Sequence, residues 1–76
     1  ANAKSLRADR LSELPSLDGP IRCYITISAS GRLLSGPLMV DSSGRAEIDL
    51  KVMDWLVDPS TIAQLPAGYL EVSVFL

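Results

Sequence analysis

The run Ile21-Arg22-Cys23-Tyr24-Ile25-Thr26-Ile27 alternates apolar and polar residues without a break, and this alternation constrains the fold more than any other feature of the chain. Period two places Ile21, Cys23, Ile25 and Ile27 on one face and Arg22, Tyr24, Thr26 and Ser28 on the other, the pattern of a half-buried strand. A polar corner, Ser28-Ala29-Ser30-Gly31, leads into a second apolar run from Leu33 to Val40. The two runs read as a β-hairpin, with Gly31 supplying the positive φ that a short corner demands. The second arm is less regular, because Gly36-Pro37 interrupts it. Proline has no N–H to give a ladder, so this point is expected at a bulge or on the edge of the sheet.

Something must cover the apolar face of the hairpin, and 76 residues leave room for one domain only. A domain of this size buries roughly 60% of its extended-chain surface, so its stability margin is thin. Hydrophobic residues make up 47% and charged residues 21% of the chain, with a net charge of −2; that balance belongs to a folded module and not to a disordered tail. The slight acidity argues against nucleic acid or an anionic membrane as partner, since both favour a basic face. The chain is read as a single domain, residues 1–76, belonging to a longer protein. No apolar run approaches the roughly 20 residues that span a bilayer.

The flanks supply the cover. From Ala3 to Leu14, the residues Leu6, Arg10, Leu11 and Leu14 fall at helical spacing, with Lys4, Arg7, Asp9 and Glu13 left for solvent and Pro15 stopping the pattern; this predicts a first helix. Ser16-Leu17-Asp18-Gly19-Pro20 then forms a turn into the first strand. After the corner Asp41-Ser42-Ser43-Gly44, the segment from Arg45 to Val52 satisfies two templates. At period two, Ala46, Ile48, Leu50 and Val52 alternate with Glu47, Asp49 and Lys51. At helical spacing, Ile48, Val52, Trp55 and Leu56 make one stripe. The helical reading is preferred, because the apolar pattern runs on through Leu56 with no turn residue until Pro59. Glu47 and Asp49 in its first turn suit the helix dipole. Residues Asp58 to Gly68 read as a loop with Thr61-Ile62-Ala63-Gln64-Leu65 as a short apolar plug inside it, and Tyr69 to Leu76 as a last strand with Leu70, Val72, Val74 and Leu76 facing the core. The order helix, strand, strand, helix, strand predicts an α+β fold in which two helices pack on a three-stranded antiparallel sheet.

The chemistry that such a chain can carry is narrow. With no histidine there is no Ser-His or Cys-His pair and no imidazole metal site, and the acids Asp41, Glu47, Asp49, Asp54 and Asp58 show no ligand spacing, so neither a catalytic centre, a metal nor a cofactor is expected. The lone Cys23 points inward and reads as a buried, inert thiol. Trp55 reads as a core anchor of its helix. What remains is a sheet edge, whose unpaired N–H and C=O groups can take an extended peptide or pair two copies of the chain. The last strand is the expected docking strand, with Tyr69, Glu71, Ser73 and Phe75 on the side away from the core, and a proline placed at Ser73 is expected to weaken binding.

The segment order and several residues resemble the C-terminal domain of the TonB and TolA family, the periplasmic end of proteins that couple the inner membrane to outer-membrane receptors. The strand from Ile21 to Ile27 followed by Ser30-Gly31-Arg32, the Asp41-Ser42-Ser43-Gly44 corner before a helix, Asp49 within it, Trp55 four positions ahead of Pro59, and the terminal strand carry the resemblance. It implies a non-enzymatic, periplasmic adaptor that docks an extended segment of an outer-membrane or envelope protein along Tyr69 to Leu76. The chain departs from the family in lacking the usual Tyr-Pro near the first helix, in an interval from Asp49 to Trp55 about one turn short, and in a long loop from Ser60 to Gly68. Should Arg45 to Val52 be a strand instead, the turns around Gly31, Gly44 and Gly68 resemble those of a small β-sandwich, a structural or adhesion module of a surface or secreted protein.

Overall fold

The computed structural model of the chain describes residues 3–9 and 20–75. Along them run six elements: β1 (Lys4–Asp9), β2 (Ile21–Ile27), β3 (Leu33–Asp41), α1 (Ala46–Val57), α2 (Pro59–Ile62) and β4 (Gly68–Phe75). The strands form one mixed sheet in the order β1-β4-β2-β3. This is an α+β fold, with four strands where three are expected and one parallel pairing where all are expected antiparallel.

The hairpin forms as the alternation requires. Ile21, Cys23, Ile25 and Ile27 are each at most 2% exposed, while Arg22, Tyr24 and Thr26 are half-buried on the opposite face. β2 pairs antiparallel with β3, and Gly31 at the corner takes a φ of +83°. Gly36-Pro37 lies both at a bulge and on an edge: the β2–β3 register shifts between Tyr24 and Thr26, and β3 is an outer strand. Gly36 is needed there for two reasons. Its φ is +89°, and a Cβ built on it would sit 2.6 Å from the carbonyl oxygen of Tyr24, a backbone atom that cannot swing away.

The segment with two templates is a helix. Ile48, Val52 and Leu56, spaced by four, are buried, whereas Leu50, which a strand would have turned inward, is 64% exposed. With this helix over a single sheet there is no second sheet among the described residues, and the sandwich alternative falls away. The corner before α1 is tied by Asp49, which accepts hydrogen bonds from the Ser43 backbone N–H at 2.9 Å, from Ser43 Oγ at 2.6 Å and from Ser42 Oγ. Burial pushes the Asp49 carboxyl up, but these bonds outweigh it and hold it below the ordinary carboxylate range. Pro59 does more than stop a helix. α1 ends at Val57, and Pro59 opens α2 as its first residue, capped by Asp58, which accepts from Ser60 N–H at 2.8 Å and Ser60 Oγ at 2.6 Å. Of the plug expected from Thr61 to Leu65, Thr61 and Ile62 are buried as part of this helical turn, whereas Ala63 and Gln64 are exposed.

The first expected helix is corrected. Lys4 to Asp9 is a strand, paired parallel with β4 from Lys4↔Leu70 to Asp9↔Phe75; residues 10–14 of that expected helix and the turn at 16–19 lie outside the described residues. The reason is burial. β4 has Leu70, Val72 and Val74 in the core, and Leu6 and Ala8 extend the same apolar layer by packing beside them, a gain of about 25 cal/mol for each Å² of apolar surface removed from water. Six residues in a strand reach this layer, and the alternation Ser5-Leu6-Arg7-Ala8-Asp9 satisfies it at period two.

One cluster holds the molecule together: the inward residues of β2 and β4, Ile48, Val52 and Leu56 of α1, and Ile62 of α2. Cys23 is a free, fully buried member, its thiol pushed up to about 11, first by burial and then by the Asp49 charge, which leaves it protonated and inert at neutral pH. Trp55 is half-buried and packs against this cluster from its rim, a flanking position and not the central anchor expected.

Candidate functional site

Helix α1 covers one face of the sheet, so every side chain alternating with the core residues is displayed on the other. Tyr69, Glu71, Ser73 and Phe75 all project there from β4, between outward residues of β2 on one side and of β1 on the other. The strand carrying them is interior, however, and not an edge. β2 is hydrogen-bonded along one side of β4 and β1 along the other, so the outer strands through which two copies could pair are β1 and β3. A proline at Ser73 would then break a central strand and not selectively weaken binding.

The structure draws the four expected residues into two groups. Tyr69 belongs to the first. It stacks on Tyr24, with ring centroids 5.5 Å apart and planes at 23°. Thr26 is the register partner of Tyr69 and Tyr24 that of Glu71, so the rings meet on the diagonal, where aromatic side chains of an antiparallel pair reach each other. The Tyr24 hydroxyl donates to Glu71 Oε2 at 2.6 Å, and Arg22 approaches the same carboxylate at 3.5 Å while also pairing with Asp41. The hydrogen bond to Glu71, followed by burial, pushes the Tyr24 phenol above its ordinary value, and the bond to Asp41 does the same for the Arg22 guanidinium. Both donors are thereby fixed in their protonated forms, which suits them to hold a surface in shape and disqualifies Tyr24 as a base at neutral pH.

Phe75 belongs to the second group. The guanidinium of Arg7 lies 3.9 Å over its ring, in the range of a cation–π contact, and Arg7 also pairs with Asp9 at 3.2 Å. Ser73 sits between the groups, register partner to Arg7 on one side and to Arg22 on the other.

Beside the tyrosine pair the bulge of β3 leaves an open groove of about 320 Å³, bounded by Tyr24, Gly36, Leu38 and Tyr69. Leu38 is 63% exposed and Tyr69 46%, so the groove offers apolar surface to solvent. Residues with metal-ligating side chains do not gather in threes anywhere among the described residues, and no helix there is long and apolar enough to cross a membrane.

Sequence reasoning found the displayed face of β4 but missed its companions Arg7, Arg22, Tyr24 and Leu38. Arg22 and Tyr24 were already assigned to the outward face of β2, and the missing information was register, which joins residues 47 positions apart. Arg7 was assigned to the solvent side of a helix; the alternation around Leu6 and Ala8 was the available signal. No protein-family model, curated protein or solved structure matches the chain.

Proposed function

We propose that this domain is a non-enzymatic protein–protein interaction module of the bacterial cell envelope, of the kind found at the C-terminal end of TonB and TolA, working in the periplasm in energy transduction, transport or the assembly of envelope machinery. Its partner is an extended segment of an outer-membrane or other envelope protein, docked by β-augmentation along β4, with Tyr69, Glu71, Ser73 and Phe75 reading side chains on the displayed face.

One observation carries this reading: the outer side of β4 pairs in parallel with a six-residue strand, the chain's own β1, in unbroken register from Leu70 to Phe75, so a partner segment docks there by taking the place of β1. Augmentation requires a line of N–H and C=O groups that a foreign strand can meet, with side-chain positions alternating between core and surface, and this side of β4 offers both to whichever strand replaces β1. The order of elements after residue 20, two strands, the main helix α1, the single turn α2 and a last strand, and the tie from Asp49 to the Ser42-Ser43 corner are in keeping with the resemblance.

Titration of the isotopically labelled domain with synthetic peptides taken from periplasm-facing extended segments of outer-membrane proteins tests it. Amide resonances from Gly68 to Phe75 should move, and Tyr69→Ala or Phe75→Ala should weaken binding while the domain stays folded. Movement confined to α1 and α2, with β4 silent, would reject the proposal.

A further inference from the structure

The strand that fills the outer side of β4 belongs to the chain itself. Among the described strands, β1 has β4 as its one substantial neighbour. Leu6 and Ala8 are only half-buried, and Lys4, Ser5, Arg7 and Asp9 are exposed. By contrast β2 lies between two strands and buries every second residue completely. A short strand with one neighbour and little buried apolar surface opens at far lower free energy than the centre of its sheet. The hydrogen bonds it gives up on leaving can be remade by any strand that follows it.

We infer that β1 is the resident occupant of the docking side of β4, and that the partner segment it yields to is a basic one of the same pattern: an apolar residue, then Arg or Lys, then a small apolar residue, running parallel to β4. This rests on β4 being the docking strand. The pattern follows from what β1 does at each position. Leu6 and Ala8 lie beside Val72 and Val74 on the core face, so the two inward positions are apolar and the second is small. Between them Arg7 turns outward and lays its guanidinium 3.9 Å over Phe75, so the middle position selects a cation, which the face of an aromatic ring attracts. At the neighbouring outward position, opposite Ser5, stands Glu71. Its carboxylate is already engaged by Tyr24 and Arg22, and it adds negative charge where a basic segment arrives.

The affinity that an outside segment shows is its intrinsic affinity multiplied by the fraction of molecules in which β1 has left, so fixing β1 in place must abolish binding. The full chain carrying Arg7→Cys and Ser73→Cys, register partners across β1 and β4, does this reversibly, since Cys23 is buried. The probe is a fluorescent synthetic peptide with the sequence of residues 3–9, Ala-Lys-Ser-Leu-Arg-Ala-Asp. It should bind the reduced chain at least about tenfold more tightly than the oxidised chain, and replacing its arginine with alanine should weaken it by roughly two- to five-fold. Equal binding in the two redox states, or none to the reduced chain, overturns the inference. So does a disulfide-linked dimer as the main oxidised product, which would give β1 to a second copy. In the unaltered chain, hydrogen exchange should show the β1 amides, and the β4 amides facing them, exchanging well ahead of those of β2; equal protection overturns it independently. Failure of the docking reading looks different. There the reduced chain takes up the residue 3–9 peptide, while envelope peptides leave the β4 resonances unmoved.

Discussion

The two outer strands of the sheet are built on opposite plans. β3 is nine residues long, tied to β2 by a tight corner, and shows Leu34, Leu38 and Val40 to solvent. β1 is six residues long, separated from every other described strand by residues 10–19, and exposes Lys4, Ser5, Arg7 and Asp9. Long apolar edges invite other chains to pair with them, and proteins blunt them with bulges, prolines and charges. β3 is blunted by the Gly36-Pro37 bulge, which breaks the line of donors, and β1 by charge and shortness. The difference teaches where exchange is affordable. The local tie of β3 re-forms as fast as it opens, whereas β1 must find β4 across more than 60 residues of chain and gains little apolar burial when it does.

The largest test of this contrast strikes the bulge. Gly36→Ala brings a Cβ to 2.6 Å from the Tyr24 carbonyl oxygen and holds alanine at a positive φ; it should cost about 3 kcal/mol or more, a large part of what a domain this small possesses. A denaturant melt showing a loss under about 1 kcal/mol would mean that β3 can shed its bulge and lie flat. Next in size is the tie that ends β3. Asp49→Ala leaves the donors of Ser42 and Ser43 without their acceptor and should destabilise by about 1–2 kcal/mol.

The same carboxylate gives the pH dependence its sign. Asp49, Asp58 and Glu47 are all held below their ordinary values. The stability they contribute is therefore complete above the ionisation of the unfolded carboxyls, near pH 4, and is lost as pH falls through the lower native values. Melting midpoints should stay level from about pH 7 to pH 5 and drop below about pH 4, with a shallower drop in Asp49→Asn. A midpoint that rises on acidification would contradict the assignment.

On the other edge, Leu6→Ala should cost about 1 kcal/mol, because its side chain is only half-buried, and hydrogen exchange should show the loss confined to β1 and the facing amides of β4. Global acceleration would make β1 an integral part of the sheet and erase the contrast. The smallest effect belongs to Leu38→Lys. At 63% exposure it should alter stability by less than about 0.5 kcal/mol. A peptide docked on β4 should be indifferent to it, whereas one lodged in the groove beside Tyr24 and Tyr69 would be lost.

Three of the four strands and the main helix were legible in the sequence, each through its own periodicity. β2 announced itself by strict alternation, and α1 by the stripe Ile48, Val52 and Leu56, which continues too far for a strand. The faces of the last strand were legible over its described residues, where Leu70, Val72 and Val74 are the buried ones; Leu76, expected to face the core with them, lies outside the described residues. β1 was not, because Leu6, Leu11 and Leu14 also satisfy helical spacing, and a six-residue segment with two apolar positions cannot arbitrate between periods.

The sequence by itself determined which residues turn inward along β2, β4 and α1, and where the corners at Gly31 and Gly44 fall. Those properties are local, set by side-chain period and by the backbone that glycine and proline allow. Only the tertiary structure decided that β4 lies inside the sheet, that Lys4 to Asp9 covers its outer side, and that Tyr24 and Arg22 meet Tyr69 and Glu71 on one face. Each of these is a pairing between residues more than 40 positions apart, chosen by which arrangement buries the most apolar surface while leaving the fewest backbone groups unpaired. No period along the chain encodes that choice.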